Sequence, residues 1–418
     1  MKTIKSAEIV AVGTELLLGQ TVNTNASFLA MQLAEIGIFS YYQTVVGDNP
    51  ERMRAQIELA AQRSDCVLIT GGLGPTKDDI SMAIAAEVAG KKLEPHEPSR
   101  RALESYFKSR GRTNVTDNNW KQTLMPEGGI VLPNNRGTAP GVILPCEVKG
   151  HKTVFILLPG PPSELQPMFR ESVRPYLEAR TDQKLRNQYI RMFGIGESAA
   201  ESAIQDLIDS QTNPTIASYV AGGDVMFRVT QQISTEAEPD LNGPVIAKIK
   251  ERLSDYIFEI GNRSMAEVVV DLLRDTGRTV SFAESCTGGL LAASITDIAG
   301  SSSVFKGGIV AYDNAVKMQL LNVSAKILEK EGAVSAACAK AMATGCRDVL
   351  NTDYAVSVTG IAGPDGGTEQ KPVGLVYLAI ADEQGTEVLE LHLFGDRARI
   401  REGAVRQAQN LLRLRLLA

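Results

Sequence analysis

A chain of 418 residues is too long for one ordinary hydrophobic core and is expected to fold as two or three domains. With 44% apolar and 22% charged residues it reads as soluble and globular, and the net charge of −6 argues against a broad phosphate-tracking surface, so no direct nucleic-acid partner is expected. The five cysteines (Cys66, Cys146, Cys286, Cys338, Cys346) are odd in number, scattered and free of any CxxC pair, which argues against a disulfide framework or a thiolate zinc site. No apolar run approaches the ~20 residues that span a bilayer, and MKTIKSAEIVAVG reads as a strand without a signal-peptide core. A cytoplasmic protein without a membrane partner is expected.

In chain order, AEIVAVG, a helical NTNASFLAMQLAEIG, SYYQTVVG, a helical PERMRAQIELAAQRS and DCVLITGG alternate strand with helix. That alternation predicts an α/β domain with a mostly parallel sheet covered on both faces, over residues 1–180. KTVFILLPGPPSEL adds a strand, a Pro-rich turn and a helix before the charged TDQKLR. Residues 181–252 predict a small α+β unit with YIRMFGIG, ESAAESAIQDLID, TIASYV, DVMFRVTQQI and VIAKIKERLSD. Its Gly194-Ile195-Gly196 turn is one residue short of an RNA-binding GxxG loop and has no flanking basic cluster. From residue 253 to 418 a second α/β pattern runs from SMAEVVVDLLRDTG through TVSFAES, GGIVAY, YAVSVTG, VGLVYLAIA and VLELHLF to a C-terminal helix from about Arg397.

In sheets of this kind the loops at the carboxyl ends of strands gather on one rim, where ligands bind. In the last third these are AESCTGG, VTGIAGPDGG and FGDRARIR, joined by GSSSVFKGGIVAYDNAVK, which contains Ser302, Tyr312 and Lys317. Arg397 and the Gly-rich turns suit a phosphate, and the hydroxyls with Lys317 suit a reacting group. The only histidines, His96, His151 and His392, lie outside these loops, so a hydroxyl nucleophile would depend on Lys or Tyr, and a lysine serves only if its pKa is depressed. Cys286 is the rival nucleophile. Taken singly, Ser302 is equally a turn residue, Tyr312 a rim residue and Lys317 a solvated helix residue. A nicotinamide dehydrogenase is disfavoured, because four residues separate Tyr312 from Lys317 and no GxGxxG follows the first strand of either half.

In the first third, CVLIT runs into Gly71, Gly72, Leu73, Gly74, Pro75, Thr76, Lys77, Asp78 and Asp79 ahead of a helix. The glycines allow close approach of an anion, and this is not a Walker A loop. Asp78, Asp79 and Glu15 suggest a divalent cation bridging carboxylate and phosphate oxygens; alternatively the aspartates only complement a helix dipole.

Together, VGTELLLGQTVNTN, TGGLGPTKDD, LPGPPSE, AESCTGG, AGSS, GGIVAYDNAVK, SVTGIAGPDGG, KPVG and GDR resemble the CinA (competence/damage-inducible) family over essentially the whole chain. The resemblance implies a molybdopterin-binding-like three-layer α/β/α domain at 1–180, a small α+β domain at 181–252 and a nicotinamide-nucleotide amidase domain at 253–418. It implies deamidation of nicotinamide mononucleotide to nicotinate mononucleotide and ammonia by Ser302, Tyr312 and Lys317. Ser285, Thr287, Gly288, Thr359, Gly360 and Arg397 would then contact substrate. In the first domain it implies cleavage of ADP-ribose to AMP and ribose 5-phosphate at Gly71, Gly72 and Gly74, with potassium and a divalent ion (Mg, Mn or Co) at Asp78, Asp79 and Glu15. A homodimer is implied as well. Leu73 and Thr14 depart from molybdenum-cofactor proteins of this fold, which carry a small hydroxyl and an acid there. The competing readings are a non-catalytic nucleotide-sensing adaptor and a molybdenum-cofactor insertion protein.

Overall fold

The computed structural model describes residues 3–111, 115–182, 184–221, 223–233 and 237–418. The chain forms two compact units, Met1–Asn187 with Thr230–Leu241, and Gln188–Val229 with Asn242–Ala418.

The first unit is built on strands β1 (Ser6–Val12), β2 (Phe39–Val46), β3 (Cys66–Thr70), the ribbon β4 (Leu93–Pro95) with β5 (Leu124–Pro126), and β6 (Ile130–Leu132), β7 (Gly141–Val148) and β8 (His151–Leu158). The main sheet runs β2-β1-β3-β8-β7-β6, parallel from β2 to β8 and antiparallel beyond. Successive side chains on a strand point to opposite faces, so Ile9, Leu68 and Ile156 join a core with Leu29, Leu33 and Phe169, while Val10, Val67, Ile69 and Leu157 join another with Met53 and Ile57. Two cores on one sheet make the three-layer α/β/α arrangement. The helices start where their caps dictate: Asn23 Oδ1 accepts from Ala26 N at 3.1 Å, and Asn49 Oδ1 from Arg52 N at 3.0 Å ahead of Pro50.

A four-stranded sheet, β10-β11-β9-β12, is formed by β9 (Lys184–Met192), β10 (Thr215–Ala221), β11 (Asp224–Ile233) and β12 (Ile257–Ile260). Ile190, Met192, Phe227 and Val229 pack there against Ile204, Ile249 and Leu253. A five-stranded sheet follows, ordered β14-β13-β15-β16-β17, from β13 (Val280–Glu284), β14 (Phe305–Val310), β15 (Tyr354–Gly360), β16 (Leu375–Asp382) and β17 (Gly385–His392). β13, β14 and β15 are parallel, so their carboxyl ends share one rim. The helix Met265–Thr276 opens with a reciprocal capping box between Ser264 and Glu267 and ends at Gly277 in the left-handed conformation. It packs with Leu290–Thr296 and Arg397–Leu417 over one face through Val269, Leu273, Leu291, Ile295, Ala404 and Leu412. Asn314–Leu321 and Ala336–Leu350 cover the other through Leu321, Cys338, Met342 and Cys346. No helix among the described residues is long and apolar enough to cross a membrane.

One buried charge in the first unit sits mid-sheet. Glu8 on β1 is fully buried and held by Arg63 through two 2.8 Å bonds and by Gln56 at 3.0 Å. Arg63→Met would strand that carboxylate, and we expect a loss of about 3 kcal/mol in the denaturant transition of this unit; an unchanged midpoint would contradict this account.

Candidate functional site

In the second unit, β13 ends at Glu284 and the chain turns through Ser285 to Gly289 into the helix Leu290–Thr296. The bend needs left-handed backbone at Gly288 and Gly289, with φ of 60° and 98°. Glu284 is buried, and its carboxylate accepts from the amides of Gly289, Leu291 and Ala292 at 2.9, 3.1 and 2.8 Å. A protein anion therefore already occupies this helix start, which the sequence had suggested for phosphate.

Lys317 lies on Asn314–Leu321, the helix after β14, and is 1% exposed. Its Nζ donates to Ala311 O at 2.7 Å and Tyr312 O at 3.1 Å, and stands 3.2 Å from Ser285 Oγ. A neutral amine has two N–H bonds and one lone pair. With both N–H bonds spent on the carbonyls, the lone pair is left for the serine hydroxyl. Burial, the largest influence, pulls the Lys317 pKa below the ordinary lysine value, against weaker opposing effects of Cys338, Asp313, Cys286 and Tyr312. Cys286 is buried, and its thiol is pushed up to about 11, mainly by burial, so it is no ready thiolate. Among the described residues the Cys286 and Thr287 amides donate to no backbone carbonyl.

The structure separates Ser302 from Lys317. Ser302 lies in a short 3-10 turn just before β14, and Val280 at the start of β13 donates to Val304 O at 2.9 Å. Val280 is level with Phe305 and Glu284 with Val310, so β14 climbs the sheet between Ser302 and Tyr312. Five residues at ~3.3 Å each place Ser302 roughly 17 Å from the rim that carries Ser285 and Lys317. The expected Ser302–Lys317 pairing is corrected accordingly: the hydroxyl at the lysine is that of Ser285. Tyr312 also differs from expectation. Its carbonyl meets Lys317, while its exposed phenol accepts from Arg397 Nη2 at 3.3 Å.

The remaining residues divide. Arg397 stands at this rim, with Nη1 donating to Gly363 O at 2.8 Å. Thr287 is fully buried, and its hydroxyl has no hydrogen-bond partner. Gly288 is exposed on the turn. Thr359 is buried and donates to Ala333 O at 2.8 Å, and a Cβ at Gly360 would stand 2.6 Å from Val376 Cγ2, so packing accounts for that glycine. Arg401, which sequence reasoning passed over, donates from Nε to Cys286 O at 3.0 Å and from Nη2 to Thr287 O at 2.8 Å. Its position four residues after Arg397, on the same helix face, was the available signal.

In the first unit, Gly71, Gly72 and Gly74 line a cavity of about 320 Å³ together with Glu15, Asp48, Asp78, Asp79 and Glu164. Gly71 has φ 90°, and a Cβ there would stand 2.4 Å from Val12 O, so only glycine lets this loop cross the end of β1. Thr76 donates its hydroxyl to Asp78 and, at 2.6 Å, to Asp79, whose carboxylate also takes the Thr76 amide at 2.8 Å. The Thr76 hydroxyl, the largest influence, holds Asp78 below the usual carboxylate range. Among the described residues no group of three His, Cys, Asp or Glu side chains is gathered as a metal cage. The expected trio of Asp78, Asp79 and Glu15 thus shares a wall without converging.

Three family models cover most of the chain. Residues 8–179 match the family model described as probable molybdopterin binding domain, 187–258 the damage-inducible protein CinA KH domain, and 262–416 the CinA C-terminal domain. A CinA-like protein of Dictyoglomus thermophilum is 48% identical over 98% of this chain and 99% of its own, and one of Kosmotoga olearia 47% identical over the same shares. The crystal structure of competence/damage inducible protein CihA from Agrobacterium tumefaciens is 42% identical over 37% of this chain and 94% of its own, with a TM-score of 0.36. The chain belongs to the CinA family.

Lys317 also leaves a thermodynamic mark. With its pKa lowered on folding, the unfolded chain binds more protons between the folded and ordinary lysine values, so stability rises with pH across that window. Lys317→Met should abolish this rise, and denaturant unfolding at a series of pH values would reveal it.

Proposed function

We propose that the C-terminal domain is an amidohydrolase that converts nicotinamide mononucleotide to nicotinate mononucleotide and ammonia, with Ser285 as nucleophile and Lys317 as base. The observation that carries this reading is the buried Lys317 Nζ at 3.2 Å from Ser285 Oγ. Neutral Lys317 takes the serine proton, the oxygen adds to the carboxamide carbon, and turn amides receive the oxyanion. The ammonium so formed returns its proton to the departing NH2 group, giving ammonia and an acyl-serine. Water deprotonated by the same amine then releases the carboxylate. Arg397, without a carboxylate neighbour among its hydrogen bonds, supports recognition of the nucleotide phosphate. Ser285→Ala should lower turnover by roughly three orders of magnitude, and Ser302→Ala should leave it within about twofold, with ammonia release as the readout. Loss of turnover in the Ser302 variant alone would restore the other serine. In the wild type, kcat/KM should rise with pH through one ionisation below the ordinary lysine value, because the base acts only when unprotonated.

For the first unit we propose metal-dependent hydrolysis of ADP-ribose to AMP and ribose 5-phosphate. Glu15, Asp48, Asp78 and Asp79 are hard oxygen donors on one cavity wall, which suits a small divalent ion that takes few protein ligands and completes its shell on substrate phosphates. Such an ion would polarise the phosphoryl oxygens. The orphaned carbonyl oxygen of Gln122, on the same cavity, is available to a ligand group. Chelation should abolish ADP-ribose cleavage and spare nicotinamide mononucleotide deamidation, whose base is Lys317; equal loss of both activities would refute this division.

A further inference from the structure

The turn that presents Ser285 is gripped from two sides. Glu284 takes the amides at its far end, and Arg401 takes the carbonyls of Cys286 and Thr287 at 3.0 and 2.8 Å. The Nε and Nη2 atoms form the edge of a guanidinium that grips a carboxylate or phosphate with two parallel bonds. In Arg401 that edge is filled by two consecutive carbonyls. A peptide N–H points opposite to the carbonyl of its own peptide unit, so the bond to Cys286 O turns the Thr287 amide away from Arg401. A Cβ at Gly288 would stand 3.4 Å from Arg401 Nη2, so the guanidinium lies directly against the turn.

We propose that Arg401 is a positioning residue for deamidation: it sets the peptide planes after Ser285, which keeps Ser285 Oγ facing Lys317 and directs the Thr287 amide to the acyl oxygen. Its role is distinct from phosphate binding at Arg397, and it rests on the amidohydrolase reading above.

The test uses the full chain with Arg401→Met and Arg401→Lys. Turnover of nicotinamide mononucleotide should fall ~100-fold in the Met variant, as expected when a reacting group is misplaced by about an ångström. KM should move by less than about threefold, and the pH dependence should keep its ionisation. The Lys variant should recover part of the rate, since an ammonium reaches the carbonyls without the planar fork. Unchanged turnover in the Met variant, or a raised KM with unchanged turnover, would overturn the proposal, the latter making Arg401 a phosphate ligand. Labelling of Ser285 by a fluorophosphonate, read by mass spectrometry, separates the proposal from the activity on which it rests. Should the wild type not deamidate the substrate, the amidohydrolase reading fails, and labelling that is lost in the variant still supports the clamp. Equal labelling of both chains, or no labelling of wild type, overturns it. If the Met variant does not fold, the Lys variant decides: wild-type turnover and labelling there count against the clamp, and reduced rates of both at unchanged KM count for it.

Discussion

A single buried amine organises the C-terminal domain's candidate site. Lys317 can stay inside the protein because two backbone carbonyls, Ala311 O and Tyr312 O, take its N–H bonds and because burial favours its uncharged form. The same two contacts leave one direction for its lone pair, and Ser285 stands there. The chain has three histidines, all outside the Gly-rich loops of this rim, so in the proposed mechanism the reactivity of Ser285 rests on the low dielectric around Lys317.

That constraint reaches outward through the fold. The carbonyls belong to the end of β14, the serine to the end of β13, and the two strands are parallel neighbours, so their ends meet only because the sheet is parallel there. Glu284, the last residue of β13, ties the strand to the helix that follows. Arg397 and Arg401 reach the same rim from the helix Arg397–Leu417, whose Asp396 cap accepts from Arg399 N at 2.9 Å. The first unit's sheet is also covered on both faces, but its electrostatics are opposite: its rim cavity is lined by carboxylates, where the second unit's rim offers guanidinium groups. The proposed functions use this difference: a phosphate met directly by guanidinium in the one, and through a bridging cation in the other.

Much of the fold was legible because it rests on local rules. Alternation of strand and helix predicted both α/β sheets, and SMAEVVVDLLRDTG is the helix Met265–Thr276 at the start of the second. Lys317 was singled out because histidine is lacking near the Gly-rich loops, while its expected pairing with Ser302 fails for a physical reason. Nine residues separate Ser302 from Tyr312, and the spacing alone does not say that six of them form a strand that carries the chain from one rim to the other. Arg401 was missed because its spacing from Arg397 marks a shared helix face but not its partners, which are backbone carbonyls more than a hundred residues away.

By itself, then, the sequence determined the elements, their order and the inventory of reactive side chains, because caps, periodicity and turn residues act over a few positions. Only the tertiary structure decided which hydroxyl meets the amine, that Glu284 fills the helix start, and that Asp78 and Asp79 turn to Thr76. Those outcomes depend on strand register and burial, which arise from contacts between segments far apart in the chain.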